Sequence, residues 1–294
     1  MSTRRNFIKE TGILAASLAL VPSLSNAFAP AKKAVGIQLY SLRDIIGKDV
    51  KGVIEKVAKA GFKEVETYGY APVNGSFWGL SPKAFKALLD ANGLVSPSGH
   101  FAFDNYVATG NLDDIKAYVD ASNTLGSKYV VAPWLDDKLR KTADDYKKVA
   151  ERLNVAGELC IKAGLNVGYH NHGFEFDKFG DKTGLDIMLA ETDPNLVYYE
   201  LDLYWAAHAG HNPVDLFKKY PGRFKMWHVK DMDKSNKEWN TEIGKGSIDF
   251  KSIFAKAELS GVKHIYLEQE TNYKPDHISS IKASIDYIKG SLLK

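Results

Sequence analysis

Cysteine is almost missing from this 294-residue chain, which carries Cys160 and no other. No internal disulfide can form, and zinc held by four cysteines, or by two cysteines and two histidines, is excluded. Excess charge of one sign is also lacking, because 39 Lys and Arg stand against 36 Asp and Glu, a formal +3. Residues 1–29 hold Arg4, Arg5 and Lys9 against Glu10, a net of two positive charges, so the remainder carries only +1. With no long Lys/Arg run, the footprint of a polyanion binder is absent, and nucleic acid is not an expected partner. No apolar stretch is long enough to span a bilayer. No Gly-x-Gly-x-x-Gly or Walker sequence follows the first strand-like run, which leaves dinucleotide and P-loop folds without local support.

What is present starts with Arg4-Arg5-Asn6-Phe7-Ile8-Lys9, a mostly apolar run from Ile13 to Val21, and the small-x-small segment Ala27-Phe28-Ala29. This resembles a twin-arginine export signal over residues 1–29, with cleavage near Ala29 and a periplasmic or otherwise exported product. The nine-residue run would extend about 14 Å as a helix, half of a bilayer core, so no stable membrane anchor is expected. That leaves about 265 residues, 30–294, near the usual length of one (β/α)8 barrel.

From Ala34 onward, short β-branched or apolar runs alternate with helical segments. Eight strands are expected: Ala34–Tyr40, Phe62–Glu66, Leu94–His100, Lys128–Pro133, Asn166–His170, Val197–Asp202, Phe224–Lys230 and His264–Glu268. Helix starts are signalled at Ser81-Pro82, at Asn111 and at Ser247. Glycines at 61, 93, 126, 164 and 261 fall where a helix hands over to the next strand, a position that favours positive φ. The expected fold is an α/β TIM barrel, as one domain with no linker dividing it.

Barrel enzymes carry their chemistry at the carboxyl ends of the strands. Those ends hold Glu66, His100, His170, His172, Glu200, Asp202, His228, Lys230, Glu268 and Glu270. Residues two apart share a face, so His170 with His172, His228 with Lys230 and Glu268 with Glu270 can project as pairs. Imidazole and carboxylate without thiolate suit one divalent ion, Mn, Zn, Co or Mg. His170, Asp202, His228 and Glu268 would each give one ligand from four consecutive strands. Their separations of 32, 26 and 40 residues each fit one βα repeat. His208, His211, His264 and His277 read as solvated, and Asp231 and Asp233 as a polar loop.

Several segments are similar to the xylose-isomerase-like barrel superfamily of sugar (phosphate) isomerases and epimerases. They are Gly36–Ser41, Phe62–Glu66, Tyr169–Phe176, Leu201-Asp202, His228–Asp231 and Tyr266–Glu270. In that family Glu, Asp, His and Glu hold the metal, and the resemblance places the last three on Asp202, His228 and Glu268. The first Glu often stands in Glu-Asn-His, where this chain has His170-Asn171-His172. Members with two catalytic glutamates epimerise symmetrically. The His-Asn-His pattern looks more like members acting on inosose or 3-keto-sugar substrates, with Glu175 as a nearby carboxylate.

The resemblance implies metal-assisted isomerisation or epimerisation of a keto-sugar or related polyol through an enediolate, with Glu268 or His170 moving the proton. The alternatives are a C–O lyase or dehydratase on a 3-keto-glycoside or inosose-like substrate, and a secreted carbohydrate-binding barrel without turnover. Glu66, His100, His172, Glu175, Trp205 and Lys230 are the expected substrate contacts, with Tyr40 and Trp134 as further stacking surfaces. The expected partner is a small carbohydrate. The sequence leaves the oligomeric state open.

Overall fold

The structure is a computed structural model and describes residues 34–293. The expected export segment, residues 1–29, lies outside the described residues. Eight parallel strands close into a barrel: β1 (Val35–Gln38), β2 (Glu64–Thr67), β3 (Val95–His100), β4 (Tyr129–Ala132), β5 (Asn166–His170), β6 (Val197–Asp202), β7 (Phe224–Val229) and β8 (His264–Leu267). Each strand pairs with its sequence neighbours, and β1 closes on β8 through Val35↔Ile265, Gly36↔Tyr266 and Ile37↔Leu267. Short β-branched runs and glycine-ended helices give this result because each right-handed βα unit returns the chain beside its own strand.

The barrel helices are α1 (Val50–Ala60), α2 (Pro82–Ala91), α3 (Asp113–Leu125), α4 (Ala143–Lys162), α5 (Gly184–Glu191), α6 (Pro213–Lys219), α7 (Phe250–Phe254) and α8 (His277–Tyr287). In α4, Tyr146, Val149, Ala150, Leu153, Ala156, Gly157 and Cys160 recur at helical spacing and are all buried, so one stripe seats the helix on the barrel. A capping box of Thr142 and Asp145 starts it. Ser81 caps α2 as expected. The other two start signals shift: Asn111 accepts from the amide of Asp113 but Leu112 is the cap residue, and Asp249 rather than Ser247 caps α7. The five helix-end glycines all have positive φ, from 64° to 104°.

Inward-facing residues recur every second position and define levels along the barrel axis. Tyr129, Val131, Met226 and Tyr266 pack together as an apolar plug, with Tyr198 against them. Gly168 belongs here because a Cβ would stand 3.0 Å from Val131 and 3.2 Å from Met226. Two residues further along the same strands the interior turns polar, with His170, Glu200 and His228. Four expectations about surface residues need correction. His264 is not solvated: it opens β8 and pairs with Glu64 at 2.9 Å. Nor is Asp231 a loop decoration, because its buried carboxylate accepts from the amides of Met232, Gly244, Gly246 and Ile248 and folds the following loop back on itself. His208 is held by Glu238 at 3.0 Å, and His277 by Asp44 at 3.1 Å.

Candidate active site

The polar interior begins with a closed ring. Glu66 of β2 and Glu200 of β6 lie between two parallel imidazoles, His100 of β3 and His228 of β7, whose ring centroids are 5.2 Å apart. His100 Nε2 lies 2.7 Å from Glu200 and 3.1 Å from Glu66; His228 Nε2 lies 2.7 Å from Glu66 and 3.1 Å from Glu200. Gln38 and Ser98 donate to the remaining capacity of Glu66 at 2.8 and 2.5 Å. Burial alone would neutralise these groups, but their mutual charges win. Glu66 is held well below the usual carboxylate range and Glu200 falls to about 2, against the burial that opposes both. Burial likewise opposes a charge on His100, yet Glu66 and Glu200 raise it to about 9.

Above this ring three of the four sequence-assigned ligands meet, while the fourth, His170, groups with His100, Glu200 and His228. Asp202, His228 and Glu268 bring ligand atoms within 4.8 Å of one another, and all three are buried. His228 Nδ1 is 3.1 Å from Glu268, and His170 Nε2 is 4.0 Å from Asp202 Oδ2. The segment His170-Asn171-His172 explains part of this convergence. Asn171 turns its side chain to the backbone amide of Asp202 at 3.1 Å, clasping the ends of β5 and β6. Asp202 then splits its work between its oxygens. Oδ1 accepts from the amides of Tyr204 and Trp205 at 2.8 and 3.0 Å, starting the short helix Leu203–His208, while Oδ2 is buried with no hydrogen-bond partner.

This oxygen, which accepts no hydrogen bond and has the Lys230 ammonium 3.7 Å away, is the test of a metal site, and the donor set fits one. An unpaired buried carboxylate oxygen is costly unless a cation answers it. His170 leans on Glu200 through Nδ1 at 3.2 Å, and His228 leans on Glu66 and Glu200 through Nε2. Each therefore keeps its opposite nitrogen toward the ligand cluster, the carboxylate–histidine arrangement that orients metal ligands. Lys230 stands beside the same cluster, 3.2 Å from Glu268 and 3.7 Å from Asp202, and it also pairs with Glu270. Burial disfavours its charge, but these three carboxylates hold its pKa well above the ordinary value. The same opposition leaves Glu268 ionised through Lys230 and His228, whereas Asp202 is lifted to about 6 mainly by burial.

A cavity of about 700 Å³ opens onto this cluster. His100, His170, His172, Trp205, Glu268 and Glu270 line it, together with Tyr40 and Trp134. His172 is pushed down to about 3, first by burial and then by the Lys230 charge, and its Nδ1 has no partner; Trp205 Nε1 is also unpaired. Three expected substrate contacts lie behind the wall instead. Glu66 is sealed in the ring beneath. Glu175 is fully buried, accepting from Tyr169 at 2.6 Å and from the His172 amide at 2.8 Å, so it positions the His172 backbone. Lys230 is 1% exposed and already committed to its carboxylates. Sequence reasoning missed the central part played by Glu200, although its spacing of two from Asp202 places both on one face.

With barrel and cluster in place, the match to known proteins is direct: residues 54–290 fit the model of the xylose isomerase-like TIM barrel family, and the chain belongs to that family. Among individual proteins, it is similar to a sugar phosphate isomerase/epimerase from Parabacteroides distasonis, 31% identical, with a TM-score of 0.79 over 90% of this chain and 97% of that one. It is also 28% identical to an inosose dehydratase of Clostridium botulinum, over 74% of this chain and 81% of the relative. The IOLI protein, solved with a bound zinc atom, shares the fold at 15% identity and a TM-score of 0.68 over 87% of this chain and 97% of that one.

Proposed function

We propose that this protein is a divalent-metal-dependent carbon–oxygen lyase acting on a keto-sugar or keto-polyol. The observation that carries the reading is the asymmetry of the cavity. Glu268 and Glu270 stand at the end of β8, while the end of β5 offers the uncharged imidazoles of His170 and His172. Epimerisation by two matched carboxylates needs a second acid at β5, and this chain has none there. The similarity to an inosose dehydratase supports the same choice.

Asp202, His228, Glu268 and His170 are the residues that would hold the ion, which when bound supplies a Lewis acid for charge developing on the ketone oxygen. Glu268, kept ionised by Lys230 and His228, takes the proton α to the ketone. The electron pair left on carbon forms the new double bond as the β carbon–oxygen bond breaks. The departing oxygen takes its proton from solvent, and the uncharged imidazole of His172, on the cavity wall, orients it as it leaves. Trp205 and the aromatic wall exclude bulk water from the reacting carbons.

Incubation of candidate keto-sugars in deuterated water tests this. Release of the β-oxygen substituent with formation of an enone is the expected outcome. Deuterium incorporation at the α carbon without any release would instead establish isomerisation or epimerisation, the reading supported by similarity to the Parabacteroides protein. Saturable sugar binding with neither outcome would identify a binding protein. Residues 1–29 are proposed to direct export of the folded chain; replacing Arg4 and Arg5 with lysine should retain it in the cytoplasm, as read by cell fractionation.

A further inference from the structure

The cavity is far larger than the ring it would process. A six-carbon sugar, with about a dozen heavy atoms, fills roughly a quarter of 700 Å³. Besides the polar His100, Asp104, His170, His172, Glu268 and Glu270, the wall is largely aromatic or apolar, with Tyr40, Tyr68, Phe101, Pro133, Trp134 and Phe174. Two of these walls come from distant strands. Tyr40 and Tyr68 follow β1 and β2 and meet edge to face at 5.1 Å. Trp134 and Phe174 follow β4 and β5 and meet at the same separation, also edge to face. Arg140 is stacked over Phe174 at 3.7 Å and bonds the carbonyl of Leu135, which holds this second wall in place.

Tyr40 and Trp134 remain 39% and 45% exposed on the cavity rim, although large aromatics normally bury such surface. Among the described residues no Lys or Arg lines the cavity; its carboxylates are Asp104, Glu268 and Glu270, and the His100 imidazole is already paired with Glu66 and Glu200. Away from the proposed ion, a phosphate would meet carboxylates with no Lys or Arg to pair with.

We infer that the annex between the Tyr40 and Trp134 walls binds an aromatic leaving group, so that the substrate is a neutral aryl glycoside-type keto-sugar and not a free monosaccharide or a sugar phosphate. The assignment rests on the lyase reading, because the group in the annex is the β-oxygen substituent released. In the elimination, the bond from carbon to the aryl oxygen breaks, that oxygen takes a proton, and a free phenol departs.

Unoxidised glycosides bind without reacting, so they separate this inference from the chemistry. Calorimetric titration, with chelator and with added Mn, would compare phenyl glycosides of glucose, galactose and mannose with the methyl glycosides and 6-phosphates of the same sugars. Phenyl glycosides of at least one sugar should bind about tenfold tighter than the methyl forms, the size of one or two aromatic contacts. Trp134→Ala should erase that preference and leave methyl glycoside affinity within about twofold; Tyr40→Ala, on the opposite wall, should do the same. Equal affinity for phenyl and methyl forms throughout, no binding of any phenyl glycoside, or tighter binding of a 6-phosphate would overturn the inference. Failure of the deuterium experiment would overturn the lyase reading while leaving these affinities unchanged.

Discussion

Met226 and His228 are two residues apart on one face of β7, yet Met226 packs with Tyr129, Val131 and Tyr266 while His228 touches Glu66, Glu200 and Glu268. The same step on β8 goes from Tyr266 to Glu268, and on β5 from Gly168 to His170. One end of the barrel interior excludes water through apolar packing; the other holds ionised groups only because each has an opposite charge within about 3 Å. The two ends should therefore respond to substitution in different currencies, the plug in stability and the polar end in chemistry and pH.

The sharpest division is expected at Asp202. Asp202→Ala should lower turnover by about a thousandfold or more and reduce bound metal, since it removes a buried carboxylate oxygen that accepts no hydrogen bond and is proposed to hold the ion. Its stability cost should be near the ~1 kcal/mol of a lost helix cap. Elemental analysis and turnover on the same preparation check this, and a variant that kept both would break the contrast. Glu66→Ala should blur it. It leaves Glu200 alone to balance His100 and the Nε2 side of His228, so urea titration should show a loss of roughly 3 kcal/mol or more, and metal affinity should fall about tenfold or further as His228 loses part of its support.

Glu175 gives the polar end a pH signature. Burial raises its carboxyl to about 7 from an ordinary 4.5. The unfolded chain loses that proton near 4.5 while the folded chain keeps it, so the associated stability is complete below 4.5 and is lost as pH rises through 7. The change is on the order of 3 kcal/mol. Glu175→Gln should flatten stability between pH 5 and 8; an unchanged slope would place the titration elsewhere. The smallest effect is expected at the plug, where Met226→Ala should cost about 2 kcal/mol and leave turnover per folded molecule unchanged.

Much of the fold was legible because strand, helix and glycine signals are local. All eight expected strands form, with ends moved by a residue or two, and the glycines at 61, 93, 126, 164 and 261 take the backbone conformation their positions demand. The lateral placement of the site was legible as well, since alternation puts His170, Asp202, His228 and Glu268 on the inner face at the right end. Depth was not. Whether Glu66 lines the cavity or lies beneath it depends on strand register and tilt, which no single segment encodes: Glu66 pairs level with Gln38 and Ser98 and is roofed by His100 and His228. Asp231 escaped for a related reason, as its partners arrive from a loop whose course only the folded chain defines, and Lys230 because its depth among Asp202, Glu268 and Glu270 is set by three strand ends together.

Asp202 serves two masters with two oxygens, and the helix begun by the first carries Trp205 along the cavity wall. A ligand that presses the indole outward also levers the carboxyl group, so recognition at the wall and reactivity at the floor are mechanically linked. Redesigning this enzyme for bulkier guests through Trp205 would detune its chemistry, whereas reshaping it through Trp134, seated on a separate loop, would not.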